Sequence, residues 1–250
     1  MAGRDACVAA SPPLVSDGAM AASDEHQHAD PARLADAVAG RLAEALRLTL
    51  SACGVASLAV PGGRTPGPVF DRLSQAALDW GRVTVTLTDE RWVPAAHMDS
   101  NERLLRERLL QGEAAHARLL GLYRNTALPS EAQSEVERDL ATLADPFAVV
   151  LLGMGEDGHF ASLFPGSAAL RQGLDLRQTR RCLAIDEPCC GHPRMTLSLS
   201  RLVAARVVVL MFQGRAKYRM IEAAWTGAGE VPVAALLRQR RAPVEVHWCP

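Results

Sequence analysis

From Asp30 onward the chain switches between two hydrophobic rhythms. Leu34, Val38, Leu42 and Leu46 recur every fourth residue, the apolar stripe of a helix that opens with Asp30 as cap and Pro31 in its first turn. Short apolar or β-branched runs follow and read as strands over 55–60, 83–88, 118–123, 147–152, 182–185, 207–212 and 244–248. Helical stretches separate them: 66–78, 101–110 behind Ser100, 130–144 behind the capping-box spacing of Ser130-Glu131-Ala132-Gln133, 196–202 and 215–225. Strand and helix in alternation predict an α/β protein, a three-layer Rossmann-like fold with a mostly parallel sheet covered by helices on both faces. In such sheets ligands gather beyond the carboxyl ends of the strands.

Residues 1–24 break the rhythm. They are rich in Ala, Ser, Pro and Gly without periodicity and read as a disordered tail, which leaves 25–250 as a single domain. At 250 residues, 48% hydrophobic and 22% charged, the chain has enough apolar surface for one sizeable core. A formal charge of -1 offers no footprint for nucleic acid or an anionic membrane, and no apolar run reaches transmembrane length. A cytoplasmic protein is expected, with its six cysteines as reduced thiols. Cys189 and Cys190 beside His192 invite a zinc reading, but adjacent cysteines fit one tetrahedral site poorly.

Four motifs carry the candidate chemistry, each at the end of a strand. Pro61-Gly62-Gly63-Arg64-Thr65-Pro66 lies between a strand and a helix; its glycines bare backbone N–H groups, and Thr65 can cap the helix. The same Gly-Gly pair also suits an ordinary strand-to-helix turn. Thr88-Asp89-Glu90-Arg91 puts a carboxylate pair and an anion fork at the end of the next strand, where a charge run could equally be a solvated turn. Val149 to His159 is an apolar run that ends in Gly153-Met154-Gly155-Glu156-Asp157-Gly158-His159, so that Asp157 or Asp89 could orient His159. Gln213-Gly214-Arg215-Ala216-Lys217 completes the set. Lys217 is the only lysine among 27 basic residues, and it falls in the first turn of a helix, where the dipole disfavours a cation unless an anion is bound there.

Gly153, Gly155 and Gly158 also spell G-x-G-x-x-G, the dinucleotide fingerprint. That fingerprint requires a long helix next, and Pro165-Gly166 stops any helix after little more than a turn. Together the four motifs ask for a small anionic ligand, most naturally a phosphate, with a His and an Asp at its other end.

At these residues the chain resembles the 6-phosphogluconolactonases, within the superfamily that includes glucosamine-6-phosphate deaminase. The likeness runs from about residue 30 to 240, through the glycine turn at 62–66, Asp89 to Pro94 with Ser100-Asn101, Gly153 to Gly166, Pro193-Arg194-Met195-Thr196-Leu197 and Gly214 to Lys217. The resemblance implies hydrolysis of 6-phosphoglucono-δ-lactone, a phosphorylated sugar lactone, to 6-phosphogluconate in the oxidative pentose phosphate pathway, by a monomer or small homo-oligomer. It implies His159 as general base, with Asp89 or Asp157 as its partner. Gly62, Gly63, Arg64, Thr65, Arg91, Gly155, Arg194 and Lys217 would hold the phosphate and the sugar acid. Pro61 and Arg64 depart from the family, which often has Ser at both positions.

The chemistry stands without the family name. A neutral imidazole can take a proton from water attacking a lactone carbonyl, and Arg or backbone N–H groups can stabilise the oxyanion. No metal or organic cofactor is called for, and there is no G-x-S-x-G elbow to supply a covalent nucleophile. Deaminase relatives resemble this loop as far as the His but place a Glu five residues after it; here that residue is Phe164, which cannot exchange protons. A non-catalytic sugar-phosphate sensor is the rival of another class. His159 beside Asp157 and the lack of a DNA-binding segment count against it.

Overall fold

The computed structural model describes residues 24–189, 191–227 and 230–250. The expected tail over 1–23 lies outside the described residues. Asp24 does not belong to it: the described residues open with a strand, β1 (Asp24–Gln27), which the sequence pattern did not announce because all four of its residues are exposed. Helix α1 (Pro31–Cys53) follows as expected. Asp30 accepts the Arg33 N–H at 2.8 Å, Gly54 closes the helix at φ 76°, and Leu34, Val38, Leu42 and Leu46 are all fully buried.

The chain then alternates through β2 (Ala56–Val60), α2 (Gly67–Leu73), β3 (Val83–Leu87), β4 (Asp89–Arg91) and α3 (Asn101–Leu104), which continues as a π-helical turn over Leu105–Leu109. After β5 (Arg118–Leu120) come α4 (Pro129–Leu140), β6 (Val149–Gly153), α5 (Leu170–Leu174), β7 (Cys182–Cys189) and β8 (His192–Leu197). The last elements are α6 (Leu199–Leu202), β9 (Val208–Gln213), α7 (Arg215–Thr226), α8 (Pro232–Arg238) and β10 (Val244–Cys249).

Among the described residues, seven strands make one sheet in the order β1-β10-β9-β6-β2-β3-β5, and every neighbouring pair is parallel. The central runs explain why. β2 is buried along its whole length and β6 over its first four residues, the continuous apolar reading of strands covered on both faces. The chain steps outward from β2 through β3 to β5, then returns to β2's other side with β6 and steps outward again through β9 and β10. The order therefore reverses between β2 and β6, where an open parallel sheet leaves a crevice beyond its carboxyl ends. No helix among the described residues is long and apolar enough to cross a membrane.

Four local expectations are corrected. A second sheet, β4-β8-β7, is antiparallel, and its β8 occupies part of the stretch read as a helix over 196–202: Thr196 and Leu197 pair with neighbouring strands, and only a short α6 remains behind Ser198. Pairing on both edges outweighed the local helical pattern. Ser130 caps nothing, because Pro129 already fits the first helical position and the cap falls at Leu128. Thr65 caps nothing either; α2 starts behind Pro66 with no side-chain cap. Cys182 and Cys249 are buried free thiols, whereas Cys53 is disulfide-bonded, against the expectation of six thiols.

Leu58 is fully buried at the middle of β2, paired with Val85 on one side and Val149 on the other. Leu58→Ala is expected to cost about 2–5 kcal/mol of unfolding free energy in urea titrations, the range for a large-to-small change in a packed core. A loss below about 1 kcal/mol would contradict this account of the sheet centre.

Candidate active site

The four expected motifs follow β2, β3, β6 and β9, which are adjacent in the sheet. Parallel strands put all four carboxyl ends on one edge, and the loops enclose a cleft of about 320 Å³ lined by Gly62, Gly63, Arg64, Thr65, Asp89, Arg91, Gly155, His159, Arg194 and Lys217 among others. Every predicted site residue except Asp157 is in that lining. Asp157 stands directly behind it, on His159.

The loop after β6 is shaped around the imidazole. Gly155 donates its N–H to the His159 carbonyl at 2.9 Å, and Gly158, at φ 77°, lets the chain turn back between them. A Cβ on Gly155 would lie 2.2 Å from His159 Nδ1, so the glycine makes room for the ring. Its N–H is already taken, which leaves no donor there for a ligand. His159 Nδ1 meets Asp157 Oδ1 at 2.5 Å, and the same oxygen accepts the His159 N–H at 3.2 Å. Burial pushes the Asp157 carboxyl up, but these two hydrogen bonds outweigh it and hold the group below its ordinary range. An ionised Asp157 favours the tautomer with the proton on Nδ1, and Nε2 has no hydrogen-bond partner among the described residues.

Of the two carboxylates offered as partner to His159, Asp157 is the one in contact. Asp89 is buried and otherwise engaged: its Oδ2 accepts the Ser162 hydroxyl at 2.6 Å and lies 3.8 Å from Arg194 Nη1, while Thr88 Oγ1 donates to Oδ1 at 3.2 Å. It ties the loop that carries His159 to the β4-β8-β7 sheet. Asp89 starts β4, which pairs antiparallel with β8.

Glu90, next along, is fully buried. It accepts the N–H groups of Arg91, Asn101 and Glu102 at 2.7–2.8 Å and the Ser100 hydroxyl at 3.2 Å, which satisfies the start of α3. Burial nonetheless raises its pKa to about 7. Asn101, so held, donates from Nδ2 to the Asp89 carbonyl at 2.8 Å and accepts from Arg91 Nη1 at 2.5 Å. Gly62 packs against the same amide, where a Cβ would come within 1.7 Å of Oδ1. Glu90 and Asn101 thus join the glycine turn to Arg91. No local pattern marks Glu90 for this role, since apart from Arg91 its partners lie ten to twelve residues later.

Among the described residues, four cations line the cleft. Arg64 and Arg91 belong to its β2–β3 side, Arg194 comes from β8 and Lys217 from the first turn of α7. Lys217 Nζ donates to the Met154 carbonyl at 2.7 Å, which bridges the loops after β6 and β9 and partly answers the objection of a cation at a helix start. Of the three ammonium hydrogens, one is used there. Phe164 completes the wall, with its ring centroid 4.3 Å from that of His159 and 5.6 Å from the Arg194 guanidinium carbon.

Residues 29–248 match the family described as glucosamine-6-phosphate isomerases/6-phosphogluconolactonase. A 6-phosphogluconolactonase of Pseudomonas putida is 43% identical over 232 residues, covering 92% of this chain and 94% of its own. One from Pseudomonas aeruginosa is 47% identical over 219 residues, covering 87% and 89%. Among solved structures, a 6-phosphogluconolactonase of Shewanella baltica superimposes with a TM-score of 0.87 at 36% identity, over 93% of this chain and all of that one.

Glu90 gives a pH test. Its folded pKa of about 7 lies above the ordinary 4.5, so the unfolded chain releases this proton first as pH rises. Stability from this group is complete below about pH 4.5 and is lost progressively toward pH 7, by about 3 kcal/mol at 1.36 per unit. In urea titrations at pH 5 and pH 8, the wild type is expected to weaken relative to Glu90→Gln as pH rises. Parallel profiles would contradict it.

Proposed function

The chain belongs to the glucosamine-6-phosphate isomerase/6-phosphogluconolactonase family, and from that membership we propose that it hydrolyses 6-phospho-D-glucono-1,5-lactone to 6-phosphogluconate, a step of the oxidative pentose phosphate pathway, by water activated at His159. One observation carries the mechanism: an imidazole pinned at Nδ1 by Asp157, with Nε2 unengaged, at one end of a cleft ringed by four cations.

Asp157 holds the proton on Nδ1, so Nε2 is the base. Water attacks the lactone carbonyl carbon and gives a proton to Nε2; the carbonyl electrons move onto oxygen. Arg91 and Arg194 are assigned to that oxyanion and to the sugar hydroxyls. When the intermediate collapses, the bond from the carbonyl carbon to the ring oxygen breaks, and the Nε2 proton passes to that oxygen. The product acid then loses its proton to solvent. Imidazole suits both halves of the step because one ring nitrogen can first accept a proton and then return it.

Lys217, Arg64 and the turn of Gly62, Gly63 and Thr65 are assigned to the phosphate, which carries the larger charge and remains unchanged through the reaction. They bind ground state and transition state alike. Phe164 in place of a proton-exchanging side chain favours hydrolysis over the isomerisation that ammonia release from glucosamine 6-phosphate requires. A phosphorylated sugar does not diffuse across a bilayer, so the reading puts the enzyme in the cytoplasm, as a monomer or small homo-oligomer of one domain.

Two assays test the function: acid release from freshly prepared lactone against its spontaneous rate, and ammonia release from glucosamine 6-phosphate. Acceleration of the first alone is expected. His159→Ala should lower kcat by about 10²–10⁴, the scale of a general base; an unchanged kcat would refute the mechanism with the family intact. Lys217→Ala should raise KM about tenfold or more with kcat nearly preserved, as loss of uniform binding does. Should kcat fall and KM stay, Lys217 acts on the chemical step instead.

A further inference from the structure

Polar and cationic groups line the cleft beside the buried Met154, Met211 and Phe212, and Phe164 is the large apolar side chain of that lining which the core does not bury. Phe164 is half-buried there, although the fully buried Phe160 and Leu163 already anchor its loop in the core. Hydrophobic burial therefore does not account for a third large apolar side chain turned into the cleft. The backbone brings it there by a specific route. Ala161 takes φ 48°, a left-handed conformation rare for a residue with a side chain, and Leu163 bonds back to Phe160 at 3.1 Å. The loop thus reverses and returns Phe164 across His159, with a centroid separation of 4.3 Å and a tilt of 42°. Sparsely populated backbone of this kind persists where the surroundings enforce it, and it clusters at working sites.

We propose that Phe164 is a positioning residue for the lactone hydrolysis, fixing the His159 imidazole through its face so that Nε2 keeps its aim at the attacking water. The proposal rests on the hydrolase reading above. Asp157 holds the imidazole at one point, Nδ1, and from a half-exposed side chain. A single hydrogen bond leaves the ring free to pivot about it. A tilted aromatic contact on the ring face removes that freedom, and it is worth about 0.5–1.5 kcal/mol in its own right. Phe164 also meets Arg194, which has its ion pair to Asp89 at 3.8 Å. Arg194 therefore has a second anchor, whereas the face of His159 depends on Phe164. Loss of the aromatic ring should accordingly reach the chemical step before it reaches binding.

The experiment measures kcat and KM for the lactone with wild type, Phe164→Leu and Phe164→Tyr. Leu keeps apolar bulk without the flat face; Tyr keeps the ring. Phe164→Leu is expected to lose about tenfold or more in kcat, the cost of a misplaced catalytic group, with KM within about threefold, and Phe164→Tyr to recover most of it. A merely structural role would predict equal losses for both variants, or a loss that follows the unfolding midpoint, and either result overturns the proposal. So does a Phe164→Leu enzyme with wild-type kcat, or one altered in KM alone. If Phe164→Leu does not fold, Phe164→Met supplies the same comparison. An inactive wild type would instead refute the hydrolase reading.

Discussion

Seven strands running in one direction force every connection to cross back over a face of the sheet. The carboxyl ends of β9, β6, β2 and β3 consequently open side by side on one edge, and the four loops that carry the candidate chemistry meet there. The rest of the site depends on this constraint. Residues as distant in sequence as Gly62 and Lys217 share one cleft because the strands before them, β2 and β9, flank β6 in the sheet, and the reversal of strand order between β2 and β6 leaves the crevice open for a ligand.

Polar groups buried around that edge make it rigid. Glu90 gathers three N–H groups and a hydroxyl, Asn101 links Arg91 to the glycine turn, and Asp89 links Ser162 to Arg194. Each of these side chains would be costly to bury alone, and each is satisfied by partners that belong to the site. This network holds Arg91 and Arg194 at the cleft. The same density of partners excludes alternatives: Gly62 and Gly155 have neighbours so close that a single methyl group would collide with Asn101 or His159.

Much of the molecule was legible in the sequence, for reasons that differ by element. α1 was readable because its apolar stripe, cap and terminal glycine all agree, and the central strands because burial on both faces makes them continuously apolar. β1 escaped notice because an edge strand with exposed side chains carries no hydrophobic signature, and β8 because its identity comes from pairing with β4 and β7. At the site, His159 with its glycines was legible as a short motif. The role of Glu90 was not, since a carboxylate reveals its partners only once the chain has folded.

By itself the sequence determined the α/β class, the four loops that line the cleft and the family resemblance, because these depend on local patterns of residues. The choice of Asp157 over Asp89 belonged to the tertiary structure. Both stand near the ends of strands, and both could have reached an imidazole. Asp89 starts a strand of the second sheet and is committed to Ser162 and Arg194, while Asp157 shares the tight glycine turn with His159 and touches Nδ1. Which of two like groups meets a third is a matter of distance in space, and distances between segments are fixed only when strands pair and loops close.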